Sequence, residues 1–500
     1  MYLSAIKRAL LALVTAALIF TSGAGADDIN LPDLGSPADA ILSANTEAQI
    51  GRSIMRQIRA SGDVVEDPLI TEYINEVGNK VAAQTNDGDH EFTFFVVEDS
   101  RINAFALPGG FIGIHTGLLE ATRSEDELAG VLAHEVAHVT QRHIARAVHA
   151  SSRQSLLSTA IMLGAILAGV ASGNPDVAQA GIAVSQGTAA QAQIDFTRSN
   201  EYEADRVGIS AMADAGFDPY GMASFFEVMS RQESRAPDER MPDFLRTHPV
   251  STARIAEARN RARHYDQIRS DDTVSYSIAK VRSKVYAFDT PEEAVAYFEK
   301  RPYQNQNEIE RYGRLLAYLR NGDNSKALDI VNYLVDRSPE VIAYHIALGE
   351  TKVRLGRFKE AKETFETALA LFPRNVPLVI AYGERLLELN HPVRAHELLL
   401  DLMNNVPPTP DQVRLIARAA NDAGEAAESL YYLSEYRLMI GDLVGGITYL
   451  QQALRLPELQ EIQRIRFEAR IDFIREFMSE EQLRRLHGSR SSGITASNAP

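Results

Sequence analysis

Four positions in the second half of the chain, Gly322, Gly356, Asn390 and Gly424, follow one another at steps of 34 residues. Three other series keep the same step: Ala327, Ala361 and Ala395; Pro339, Pro373 and Pro407; Gly313, Ala347 and Ala381. A fixed period constrains the fold more than any other feature, because one supersecondary unit must recur and bury its apolar face on its neighbours. The residue types identify the unit. Gly, or Asn in its place, turns the chain through positive φ at a helix end, a small residue lets two helices approach, and a proline stops the second helix. Residues 271–487 are therefore expected to form an all-α solenoid of helix hairpins. Gly441, half a period after Gly424, extends the stacking to about Met478. Residues 488–500, rich in Ser, Gly and Asn, read as a disordered tail.

Composition narrows the rest. A chain of 500 residues is long enough for several domains. With 45% hydrophobic and 24% charged residues it is neither a polytopic membrane protein nor a disordered one. The formal charge of −16, with no basic block, argues against nucleic acid as a partner. The absence of cysteine excludes disulfides, thiolate metal sites, iron–sulfur clusters and a thiol nucleophile. Any metal must then be held by His, Asp or Glu. At the N-terminus, Lys7 and Arg8 precede an apolar run from Ala9 to Phe20, and Ala24-Gly25-Ala26 follows. This is the pattern of a secretory signal peptide over 1–26, cleaved after Ala26. The run is short for a membrane span and no cysteine follows it for lipid attachment, so no stable transmembrane anchor is expected and the periplasm is the expected address.

Residues 27–270 read as a mainly α domain with a small β-sheet. Phe92–Val97, Asn103–Leu107 and Phe111–Ile114 have extended character, and Pro108-Gly109-Gly110 between the last two is a turn. Phe111–Ile114 is the candidate sheet edge for an extended substrate, with an ordinary core strand as the alternative. Ser124 and Glu127 then open a helix that carries His134-Glu135-Val136-Ala137-His138, an HExxH pattern. Residues four apart share a helix face, so His134 and His138 can aim imidazole nitrogens at one ion, with Glu135 beside it as general base. Zinc suits imidazole and carboxylate donors and leaves a position for water. Two histidines leave it a ligand short. Glu201 and Asp205 form an i, i+4 pair in Asn200-Glu201-Tyr202-Glu203-Ala204-Asp205, so Glu201 is the candidate third ligand. Asp205 could hold a ligating histidine, donate a proton later or pair with a nearby arginine, and Glu203 reads as a solvated or structural acid. His143 and His149 read as surface residues.

The stretches Asn103-Ala104-Phe105-Ala106-Leu107-Pro108-Gly109-Gly110, Ser124 to His138 and Glu201 to Arg206 resemble the M48 zinc metallopeptidases, over about Ile41 to Arg261. That likeness implies one zinc ion per chain, held by His134, His138 and Glu201, with Glu135 as catalytic acid/base and Asp205 as a supporting proton donor. His248-Pro249 followed by Arg254-Ile255 also looks like a family signature. Its histidine would stabilise the oxyanion or fill zinc's open position, leaving the resting enzyme latent. The 34-residue units resemble tetratricopeptide repeats. With the signal peptide, the chain is similar to periplasmic, repeat-bearing members of the family. This implies unfolded or misassembled outer-membrane proteins as clients, and the outer-membrane β-barrel assembly machinery as a partner of the repeats. The alternative is a repeat-based adaptor or chaperone whose zinc site is latent or structural. Finally, the stretch between Arg153 and Asp195 holds one charge, Asp176, and an apolar core from Leu156 to Ala171, expected to act as a lid or to meet a partner.

Overall fold

The computed structural model describes residues 42–85, 91–150, 189–233, 242–265, 271–478, 482–484 and 486. The expected signal peptide, the apolar core from Leu156 to Ala171 and the expected tail over 488–500 lie outside the described residues. Among those described, no helix is long and apolar enough to cross a membrane.

The first half builds helices around a three-stranded sheet. Helix α1 (Ala44–Ser61) starts where the Ser43 hydroxyl accepts from Thr46 N–H, and α2 (Pro68–Ala82) starts on the Asp67 carboxylate. Strands β1 (Thr93–Val97), β2 (Ala104–Leu107) and β3 (Phe111–His115) are ordered β1-β3-β2, with β3 parallel to β1 and antiparallel to β2. The Pro108-Gly109-Gly110 turn joins β2 to β3 as expected. Its glycines have φ of 79° and 82°, and a Cβ on Gly110 would lie 2.4 Å from the Glu91 carbonyl oxygen, so no larger residue fits there.

The sheet corrects the expected substrate edge. Phe111–Ile114 lies in β3, the central strand, hydrogen-bonded on both sides. Its continuous burial is what a central strand requires, and a short apolar run cannot reveal from sequence which strands flank it. On the far side of β1, Val64 bridges to Val97. Among the described residues, the outer edge of β2 pairs with no strand.

After the short α3 (Thr116–Ala121), helix α4 (Glu125–Thr140) begins at Ser124, whose hydroxyl accepts from Glu127 N–H. The Glu127 carboxylate takes Arg123 N–H instead of closing the reciprocal half of the box. Helix α4 is buried nearly all round, as the central helix of this half must be. Packed on or near it are α5 (His143–Ala150), α6 (Ala189–Asp214) and α7 (Tyr220–Glu233), followed by α8 (Asp243–Thr247) and α9 (Thr252–Ala262). Glycines allow close approaches to α4: a Cβ on Gly221 would lie 2.3 Å from the Asp126 carbonyl oxygen, and one on Gly208 3.0 Å from the Ala133 carbonyl.

Helix α10 (Val274–Tyr286) belongs to both halves. Tyr276 and Ala279 lie in the core of the first, while Ile278, Val281 and Val285 lie in that of the first repeats. After Pro291–Glu299 come five hairpins: Glu308–Asn321 with Asn324–Arg337, Ile342–Arg354 with Phe358–Leu371, Val376–Glu388 with Pro392–Asn405, Pro410–Asp422 with Ala426–Met439, and Leu443–Ala453 with Glu461–Glu476. The periodic positions do what their chemistry requires. Gly322, Gly356 and Gly424 have φ of 84°, 72° and 87°, and Asn390 has 59°. Ala327, Ala361 and Ala395 are buried where helices meet. The array curls back on the first half: Arg414 pairs with Glu66 at 3.2 Å, Arg282 pairs with Asp67, and the Arg56 guanidinium donates to the Ile440 carbonyl.

Candidate metal centre

Helix α4 presents His134 and His138 on one face, and α6 crosses it with Glu201 facing them. His134 Nε2 lies 3.0 Å from His138 Nε2 and 3.3 Å from Glu201 Oε2, and His138 Nε2 lies 3.4 Å from Glu201 Oε1. The loop after α8 adds a fourth group: His248 Nδ1 is 3.0 Å from Glu201 Oε1 and 3.3 Å from His134 Nε2. One donor atom from each of these four residues can be chosen so that all lie within 4.8 Å of one another. Four donors at about 2.0 Å from a central ion, arranged tetrahedrally, would stand about 3.3 Å apart. The spacing therefore fits a zinc-sized ion, and the donor types fit zinc.

The electrostatics agree. Burial works against ionisation of Glu201, but the three histidines around it hold its carboxyl well below the usual range, so it is present as a carboxylate. Burial drives His138 down to about 3, which leaves one ring nitrogen bare for a cation. His134 goes the other way: against the effect of burial, Asp205 and Glu201 push it up to about 10. Glu135 is buried, and burial raises its pKa. Among the described residues its Oε1 has no hydrogen-bond partner and lies 3.4 Å from His248 Nε2, while the Ala106 N–H of β2 reaches its carboxylate. The acid beside the cluster thus also faces the open sheet edge.

The acids of α6 have outer partners of their own. Asp205 Oδ1 sits 3.0 Å from His134 Nδ1, the nitrogen turned away from the cluster. Both of its oxygens are also taken by Arg254, whose Nε and Nη2 donate at 2.8 and 2.7 Å. Against the penalty of burial, His134 and Arg254 hold Asp205 below its ordinary pKa, so it stands as a carboxylate against His134. Arg254 also reaches Glu201 Oε2 at 2.8 Å and the Pro249 carbonyl at 2.8 Å, tying both carboxylates to the His248 loop. Arg254 is the residue that sequence reasoning missed; its one signal was its place after His248-Pro249.

A second correction concerns His143. It is buried, not a surface residue: Nδ1 lies 2.9 Å from His138 Nδ1 and Nε2 lies 3.2 Å from Glu203 Oε2. Glu203 also accepts from Arg146 at 2.7 Å, which makes it a structural acid. The face argument failed because α4 ends at Thr140 and Arg142, at φ 54°, redirects the chain so that His143 folds back. His149 is exposed as expected.

Residues 68–262 match the profile of peptidase family M48, and residues 352–419 match a tetratricopeptide repeat profile. A protein of Vibrio cholerae serotype O1, named putative beta-barrel assembly-enhancing protease, is 34% identical over 469 residues, which cover 93% of this chain and 96% of the relative. The chain belongs to peptidase family M48. The beta-barrel assembly-enhancing protease of Yersinia pestis is 33% identical, over 89% of this chain and 91% of its own. That of Escherichia coli strain K12 is 31% identical, over 94% and 97%. As an M48 member the chain is a metallopeptidase with C-terminal tetratricopeptide repeats, and its HExxH residues lie within the matched span.

Proposed function

We propose that this M48 metallopeptidase is a zinc-dependent endopeptidase of the periplasm, which promotes assembly of outer-membrane β-barrel proteins and degrades misassembled ones. One observation carries the chemistry: His134, His138 and Glu201 converge on one point, with the buried Glu135 carboxylate beside them. The names of the relatives support the client class, and the solenoid is the surface assigned to recruiting the β-barrel assembly machinery.

His134, His138 and Glu201 would hold the ion. Zinc, when bound, acidifies water and polarises a peptide carbonyl. Glu135 accepts the proton of the attacking water and returns it to the leaving amine, a role suited to a buried carboxyl whose pKa burial raises. The open edge of β2 offers main-chain hydrogen bonds to an extended substrate, a mode that tolerates many sequences. Asp205 and Arg254 fix His134 and Glu201 in place.

His248 sets the resting state. Its Nδ1 points into the cluster, so it acts as a fourth donor in the position that water and substrate need. Its loop is clipped down by Arg101–Asp243 at 2.7 Å and by Phe244 N–H on the Ile102 carbonyl at 3.0 Å. The resting enzyme is latent until that loop withdraws. Four protein donors are also the hallmark of a structural zinc site, which is the specific observation behind the adaptor reading.

Cleavage of an unfolded protein such as casein by the purified full-length chain separates the two. Glu135→Gln is expected to lower kcat by about 10²–10⁴-fold with metal content unchanged. His248→Ala is expected to raise cleavage several-fold. Equal, negligible cleavage by wild type, Glu135→Gln and His248→Ala would replace the enzyme with the adaptor.

A further inference from the structure

The two ligand histidines of α4 are not held alike. His134 meets a carboxylate directly at Nδ1, whereas His138 meets another imidazole, that of His143, and only then a carboxylate. The acids at the two ends, Asp205 and Glu203, lie two positions apart on α6, and each is paired with an arginine, Arg254 and Arg146. We infer that His143 is a positioning residue for the metal, the middle member of a chain His138–His143–Glu203 that fixes the tautomer and the ring plane of His138.

Hydrogen-bond direction carries the argument. His138 Nε2 faces the cluster and must be bare to bind a cation, so a neutral His138 carries its proton on Nδ1. That proton points at His143 Nδ1, 2.9 Å away, which must therefore be the acceptor. His143 in turn carries its proton on Nε2 and donates it to Glu203 Oε2 at 3.2 Å. At the outer end Arg146 donates to Glu203 Oε2 at 2.7 Å and balances its charge. Each tautomer is thus dictated by the next group outward, ending at a charge-balanced carboxylate. The rings of His138 and His143 stand nearly edge to face, with centroids 4.8 Å apart, which resists rotation of the ligand ring.

This inference rests on the zinc reading above, and zinc affinity tests it without recourse to activity. The full-length chain is stripped of metal, and zinc is titrated against a chromophoric chelator for wild type, His143→Phe, His143→Asn and Glu203→Gln. Removing a partner of a ligating histidine costs about 10–100-fold in affinity, the loss expected of His143→Phe. Asn carries an amide oxygen near the site of His Nδ1 and can accept from His138, so His143→Asn is expected to stay within about 5-fold of wild type. Glu203→Gln changes a half-buried residue on the helix surface and guards against misfolding of the Phe variant; about a 3–10-fold loss is expected as the terminal charge disappears. Cobalt in place of zinc should show shifted visible bands in His143→Phe and wild-type bands in His143→Asn. Wild-type affinity in both His143→Phe and Glu203→Gln would overturn the role of His143, as would equal losses in the Phe and Asn variants. A wild-type chain that binds neither zinc nor cobalt would overturn the zinc reading itself, so the two failures differ.

Discussion

The peptidase half and the repeat array bury different things. Around α4 the interior holds His134, Glu135, Glu201, Asp205 and Arg254, all 3% exposed or less, each within 3.4 Å of another ionisable group. Within the array the interior is Tyr312, Tyr344, Phe365, Tyr382 and alanines, and many ion pairs lie at the surface, such as Arg374–Asp401 with both side chains about half exposed. Buried charges are interdependent, because removing one leaves its partner uncompensated in a poorly polarisable medium, whereas exposed pairs contribute little. The same substitution class should therefore spread through the first half and stay local in the second.

The largest effect is expected at Arg254. Arg254→Leu strands Asp205 and Glu201 and should cost about 3–5 kcal/mol, read as a lowered melting temperature of the metal-free chain. It should also weaken zinc binding, since both carboxylates lose their anchor. A loss of stability with wild-type zinc affinity would show that the two networks are independent and would break the contrast. In the array, Gly356→Ala should cost about 1–2 kcal/mol, because φ of 72° is strained for any residue with a Cβ. Among the described residues no atom lies within 4 Å of that Cβ, so the cost is backbone strain, and zinc affinity should not move.

Asp126, in the first turn of α4, gives the smallest effect and one that depends on pH. Burial pushes it up to about 6, against the Asp218 N–H that it accepts, and Asp218, Glu125 and Asp272 push the same way. Its folded pKa lies above the unfolded value of 3.8, so its favourable contribution is complete below about pH 4 and is lost as pH rises through 6. Asp126→Asn keeps the acceptor and removes the charge. Allowing for solvent screening of a half-exposed group, it should stabilise by about 1 kcal/mol at pH 7.5 and by about half that at pH 5. Thermal melts at the two pH values check both size and sign.

The two halves were legible in different ways. The array could be read because one constraint recurs: Gly322, Gly356, Asn390 and Gly424 all need the same φ, so the spacing carries the fold. The metal helix could be read because the i, i+4 spacing of His134 and His138 is a local property of a helix. Glu201 followed from its i, i+4 partner Asp205 and from likeness to M48 peptidases. Arg254 and His143 were not legible. Arg254 is 49 residues from Asp205, and only the packing of α9 on α6 brings them together. His143 was misplaced because a helix face was extended past the point where α4 ends. The sheet order was hidden too, since strand length and burial do not say that β3 lies between β1 and β2. Nor could sequence show that α10 serves two cores. A cut at residue 270 would remove Tyr276, which hydrogen-bonds to Thr122 beneath α4, so it would not release an intact peptidase half.

The contact of Arg56 with the Ile440 carbonyl joins positions 384 residues apart. A ribosome adding 5–20 residues per second needs roughly 20–80 s to make the chain between them. Throughout that interval α1 has emerged without the surface it will rest on. The first-made helix therefore rests on nearly the last-made repeat, and this contact can be set only once the chain is all but complete.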